Sequence, residues 1–185
     1  MILHDFLLFY MEVTVNKIDI ARGIVFQQLE VSKNTFEERL VCQKKIYLLQ
    51  SLNVPLGFYF DWYVYGPYSR NLTTYLYENY DLLIQSDFSK YKLSEKVNHS
   101  IQTVNHLDSG NFVQLSMPLW YELLASLLFI YETPFFWEKQ VPKTKEHCYE
   151  VLTTLKPKFN PDHCKAAMKC LIDNHFVALI NESAN

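Results

Sequence analysis

Glycine is scarce in this chain of 185 residues: there are four, Gly23, Gly57, Gly66 and Gly110, no two of them close together. Phosphate-cradling loops and dinucleotide fingerprints need clustered glycines for tight turns and close backbone approach, so neither can be assembled here. A GxSxG elbow is missing as well, which removes the strained turn that presents a hydrolase nucleophile. Basic residues are outnumbered, 17 Lys and Arg against 20 Asp and Glu. The resulting net charge of −3 provides no global positive field to draw the protein onto phosphate backbones.

The four cysteines, Cys42, Cys148, Cys164 and Cys170, contain no CxxC pair and no secretion signal precedes them. They predict reduced thiols, no disulfide and a cytoplasmic protein. Met1 to Tyr10 is apolar, but it has no basic n-region, carries His4 and Asp5 and lacks a small-residue cleavage site, so it does not read as a targeting signal. Met11 offers an alternative start. Residues 1–16 are accordingly expected to form an N-terminal extension, followed by one domain over residues 17–180.

What is present is ordinary globular material with an unusual share of aromatics. Hydrophobic residues make up 49% of the chain and charged ones 20%, a balance that supports a folded core rather than disorder. The chain has 13 Tyr, 13 Phe and 3 Trp, and many of the tyrosines fall between Tyr59 and Tyr80. Tyr has an apolar body and a polar tip, so such a cluster suits either a surface half buried against a partner or the rim of the core.

Apolar residues Ile20, Ile24 and Leu29 predict a first helix from Lys17 to about Leu29. Thr35 with Glu38 forms a capping box that opens a second, running to about Ser51. After Pro55 and Gly57 the period changes to strict alternation. Phe58, Phe60, Trp62 and Val64 fall on one side, Tyr59, Asp61, Tyr63 and Tyr65 on the other, which predicts a short strand ended by a Gly66-Pro67 turn. Ser69 is placed to cap a helix carrying Leu72, Tyr75, Leu76 and Leu83.

Val97, Ile101 and Val104 predict another helix, ended near Asp108 to Gly110. Pro118 introduces Leu119 to Glu132, apolar on nearly every face. At that length, with Glu122 inside, it is too short to span a bilayer and reads as the buried central helix. Prolines divide the last third into a helix from about Thr144 to Leu155 and one opened by Asn160-Pro161 and closed near Asn174, with His175 to Ile180 as a short apolar tail. No internal repeat or low-complexity tract appears. The expected fold is mainly α, an orthogonal helical bundle with a short aromatic strand or hairpin.

Candidates for chemistry are weak. His147, Cys148, His163, Cys164, Cys170 and His175 share the final third, but adjacent His-Cys pairs on a helix point about 100° apart, so each pair offers one ligand comfortably and rarely both. They read as core thiols and surface histidines, with no metal or other cofactor. Asp61, on the tyrosine side of the strand, reads as a hydrogen-bond partner for tyrosines rather than a catalytic base. Lys44, Lys45, Lys143, Lys145, Lys156 and Lys158 read as solvated helix faces, and a nucleic-acid-binding role would require them to gather beside aromatics.

The string Gln43 to Leu49 (QKKIYLL), followed after one strand by Tyr63 to Ser69 (YVYGPYS) and Leu72, resembles the YwgA-like proteins and, more distantly, the SocA-like or Panacea domain. Leu123 to Leu127 (LLASL) and Leu155 to Phe159 (LKPKF) extend the resemblance to the YwgA-like group, over about residues 17–171. It implies a small helical domain without known catalytic residues. The Panacea relatives act as antitoxins that bind a toxin and neutralise it or deliver it for degradation.

Both lines of reading meet at Tyr59, Asp61, Tyr63, Tyr65, Gly66, Pro67, Tyr68 and Arg70, where Tyr and Arg supply the side-chain types that dominate binding hot spots. The expectation is a non-catalytic module that binds another protein there, such as a toxin or defence-system component of a bacterium or archaeon. A homodimer through the same face is compatible with it, and a nucleic-acid-binding regulator using lysine-rich helix faces is the alternative. The same aromatic residues serve equally well as packing between strand and helices.

Overall fold

The structure is a computed structural model describing residues 16–137 and 144–177. Of the expected N-terminal extension only Asn16 is described, and Met11, Lys143 and the tail beyond Val177 lie outside the described residues. The elements run α1 (Lys17–Gln28), α2 (Phe36–Ser51), β1 (Asp61–Tyr63), β2 (Gly66–Tyr68), α3 (Arg70–Gln85), α4 (Glu95–Asn105), α5 (Met117–Glu132), α6 (Lys145–Leu155) and α7 (Pro161–Asp173). Short 3-10 turns follow α4 at His106–Gly110 and α5 at Pro134–Phe136. The protein is a mainly α helical bundle with one two-stranded antiparallel hairpin.

Helix α5 is the axis of the bundle because its sequence leaves it almost no polar face. Ten of its sixteen residues are buried, and α2, α6, α7 and β2 pack around it. Its two buried polar-tipped aromatics find partners inside: Trp120 Nε1 donates to the Leu107 carbonyl at 2.9 Å, and the Tyr121 hydroxyl is shared between Val104 O at 3.0 Å and Asp108 Oδ1 at 2.9 Å.

Helix starts follow their capping residues. Thr35 and Glu38 form the reciprocal box on α2, Ser69 Oγ accepts the Leu72 N–H on α3, and Asn160 caps α7. These bonds satisfy backbone donors that a helix N-terminus otherwise leaves unpaired.

Three expectations need correction. The alternating segment is extended, with Val54, Leu56 and Phe58 buried and Pro55, Gly57, Tyr59, Asp61 and Tyr63 exposed. Only Asp61–Tyr63 has a backbone strand partner. Gly66-Pro67 belongs to β2, pairing Tyr63 and Trp62, while Val64 and Tyr65 make the turn. Val64 is therefore 79% exposed instead of facing inward.

Second, three of the lysines expected on solvated faces are not there: Lys44 and Lys156 are buried and Lys45 is half buried, whereas Lys158 is exposed. Each of the three donates to a backbone carbonyl, Lys44 to Pro67 O, Lys156 to Val64 O and Lys45 to Leu29 O. Third, the buried face of α1 is Val25 and Phe26 with Ile24 and Leu29, leaving Ile20 half exposed. Gly23 lies on this face against Phe88, where a Cβ would come within 2.4 Å of the ring.

Candidate binding groove beside the hairpin

Helix α2 acts as a template for the extended segment and the hairpin. Gln43 and Gln50 lie seven residues apart, two turns along one face. Gln50 accepts from Phe58 N at 3.0 Å and donates to Phe58 O at 2.7 Å. Gln43 accepts from Ser69 N at 2.9 Å and donates to Ser69 O at 3.0 Å. Each glutamine amide thus replaces one rung of a strand neighbour, one on either arm of the hairpin. Between them Tyr47 meets Phe60 edge-on, with ring centroids 5.3 Å apart.

Two buried ammonium groups complete the clamp. Lys44 Nζ donates to Pro67 O at 2.6 Å, and Lys156 Nζ donates to Val64 O. Lys156 also pairs with Glu122 at 2.7 Å, and Glu122 takes Lys158 at 2.8 Å on its other oxygen. Burial lowers the Lys44 ammonium from the usual lysine range to about 7, the Glu122 carboxylate opposing the shift. Burial lowers Lys156 as well, against the hydrogen bond and charge of Glu122. Beneath the turn, Gly66 adopts φ +81° and presses so closely on α5 that a Cβ would stand 2.2 Å from Ser126 Oγ. The sequence strings QKK, LLASL and LKPKF therefore meet in space around YVYGPYS.

What this scaffold presents is a groove of about 630 Å³ between the start of α2, the hairpin and the start of α3. Its wall is largely apolar, with Leu40 and Leu76 at its base and exposed Phe36, Tyr65 and Tyr77 around it. Phe36 and Tyr65 meet edge-on at 5.3 Å, Tyr63 and Tyr68 pack with tilted rings at 5.2 Å, and Arg70 Nε donates to Tyr63 Oη at 2.9 Å.

Of the residues singled out from the sequence, Tyr63, Tyr65, Gly66, Tyr68 and Arg70 line this groove. The others do not. Pro67 is buried, Tyr59 is 78% exposed and borders a separate depression with Phe60 and Phe129, and Asp61 is exposed on β1 opposite Tyr68. Asp61 makes no side-chain hydrogen bond among the described residues, so the expected bonding to tyrosines is replaced by the Arg70–Tyr63 pair. Residues that sequence reasoning left out of the site include Phe36, Arg39, Leu40 and Tyr77, which reach it only through the packing of α2 and α3 against the hairpin.

The final-third thiols are buried, His147 Nε2 meets Phe136 O at 3.2 Å, and His163 closes the α7 capping box. Among the described residues no three metal-ligating side chains converge, and no helix is long and apolar enough to cross a membrane. Comparison with family models, curated proteins and solved structures finds no match for this chain.

Proposed function

We propose that the chain is a non-catalytic protein-interaction module that binds its partner through the hairpin and the groove beside it. The observation that carries this reading is the gathering of Phe36, Tyr63, Val64, Tyr65 and Tyr77, all exposed, around one apolar-walled groove. Large aromatic side chains in such a position offer contact area at low conformational cost. The template formed by Gln43, Lys44, Gln50 and Lys156 holds the hairpin backbone in place before any partner arrives, which lowers the ordering cost of binding. The resemblance to the YwgA-like proteins points the same way, toward a cytoplasmic, antitoxin-like or defence-associated role. The lysine faces that a nucleic-acid regulator would use are turned inward at Lys44, Lys45 and Lys156.

The test compares wild type with Tyr63→Ala/Tyr65→Ala as bait in the native host, with nuclease-treated controls and mass spectrometry. A protein captured by the wild type and lost by a variant of unchanged circular dichroism supports the reading. Equal capture by both, or capture of nucleic acid alone, overturns it.

A further inference from the structure

Charge around the groove departs from that of the chain as a whole. The protein carries a net charge of −3, yet the charged residues lining the groove are Arg39, Lys44 and Arg70, with no carboxylate among them. None of the three forms an ion pair among the described residues, whereas Arg22, Lys33, Lys156, Lys158, Lys165 and Lys169 each do. Arg39 spends Nη1 on the Lys33 and Asn34 carbonyls, and Arg70 spends Nε and Nη2 on Tyr63 Oη. A guanidinium has five N–H donors in a fork that matches a carboxylate, so both arginines keep donors to spare.

Resting on the interaction reading above, we infer that the groove takes an acidic segment of the partner protein, seating a large apolar side chain between α2 and the hairpin and its flanking carboxylates on Arg39 and Arg70. The volume falls in the range of sites that hold several side chains or a drug-sized ligand. Apolar walls flanked by Arg39 and Arg70, with the Lys44 ammonium already engaged by the Pro67 carbonyl, match an apolar anchor flanked by acids, because the anchor is desolvated while its charges meet the arginines, where they steer and select. Single-stranded nucleic acid fits less well: it needs a track of cations following the backbone, and Lys44, Lys45 and Lys156 are occupied inside the fold.

The experiment is fluorescence anisotropy with labelled hexapeptides in which a central Phe, Trp, Leu or Met is flanked by Glu and Asp. The same peptides with Gln and Asn flanks, and an oligothymidylate, serve as comparison probes. At least one acidic probe is expected to bind, more weakly as salt rises. Its amide counterpart, and the variant Arg39→Gln/Arg70→Gln, are expected to lower affinity about tenfold, the effect of two rim ion pairs. Arg39→Lys/Arg70→Lys is expected to restore part of it.

Absence of binding by every acidic probe at millimolar concentration overturns the inference, as does equal binding by the Arg→Gln variant. Tighter, arginine-dependent binding of the oligothymidylate would assign the groove to nucleic acid. A concentration-dependent dimer that the Arg→Gln variant dissociates would assign it to a second copy of the chain. Either result overturns the acidic segment. A host partner lost by Tyr63→Ala/Tyr65→Ala but retained by Arg39→Gln/Arg70→Gln would sink this inference alone and leave the interaction reading standing.

Discussion

The contact between Gly66 and Ser126 makes an exposing test of the scaffold. Gly66 sits at φ +81°, and an added Cβ would lie 2.2 Å from Ser126 Oγ and 3.4 Å from Ser126 Cβ. Gly66→Ala therefore carries two costs: about 1–2 kcal/mol for left-handed backbone and about 1–3 kcal/mol for overpacking. Ser126 Oγ is itself the one buried side-chain polar atom without a hydrogen-bond partner among the described residues. Ser126→Ala removes that orphan, and is expected to be neutral or to stabilise by up to about 1 kcal/mol. With Ala at position 126 the nearest atom to the new methyl becomes the Cβ of residue 126 at 3.4 Å, ordinary contact, so only the backbone cost remains.

The double variant should then lose about 0–2 kcal/mol where the sum of the singles predicts roughly 1–5, a coupling of about 1–3 kcal/mol equal to the relieved overpacking. Urea unfolding followed by tryptophan fluorescence reads both ends of the contact, since Trp62 lies on the hairpin and Trp120 in the core on α5. Additivity within about 0.5 kcal/mol, or a clear loss of stability in Ser126→Ala alone, would refute this account of why glycine stands at position 66.

Lys44 gives a pH signature. Its ammonium is lowered from 10.5 to about 7 by burial, so between those values the unfolded chain holds a proton that the folded chain has released. Stability should rise by about 2 kcal/mol from about pH 7 to about pH 9, and Lys44→Met should flatten that slope in urea titrations at a series of pH values. Above that window the buried Cys42 thiol, raised to about 12, works in the opposite direction. Glu122→Gln leaves the buried Lys156 ammonium without its countercharge and should cost about 3–5 kcal/mol by thermal denaturation, whereas Glu122→Leu with Lys156→Met should be far milder.

Elements marked by local chemistry were legible in the sequence. The Thr35–Glu38 box, Ser69, Pro118 and Asn160-Pro161 each act within one helical turn, and the apolar run of α5 needs no knowledge of its neighbours. The lysines were illegible for the opposite reason. Lys44 is buried because β2 turns the Pro67 carbonyl toward α2, a contact across 23 positions, and Lys156 reaches Val64 across 92. The alternation from Phe58 onward reported an extended chain with one face inward, and that pattern is the same whether the partner is a strand or the side chain of Gln50. Phe36, Arg39 and Tyr77 gave no signal of their own, because a groove is a property of how α2 and α3 meet the hairpin.

A hairpin of three residue pairs is marginal by itself, and here its backbone is held by side chains from α2 and by Lys156. That arrangement separates two kinds of residue within one aromatic segment. Gln43, Lys44, Gln50, Gly66 and Lys156 fix where the hairpin stands, while Tyr63, Val64 and Tyr65 are what it shows to solvent. Replacing Gln43 by Leu leaves the buried Ser69 N–H without its acceptor, while the Ser69 carbonyl keeps the Thr73 N–H, and should lower stability by about 1–3 kcal/mol, weakening partner capture in step with the loss of structure. Replacing Val64 by Ser, at 79% exposure, should stay within about 0.5 kcal/mol of wild-type stability while still reducing capture. If the two variants lose capture only in proportion to stability, the aromatic segment is packing and not a face. If Val64→Ser loses capture at full stability, the hairpin is a presented surface, and the buried lysines and glutamines exist to keep it presented.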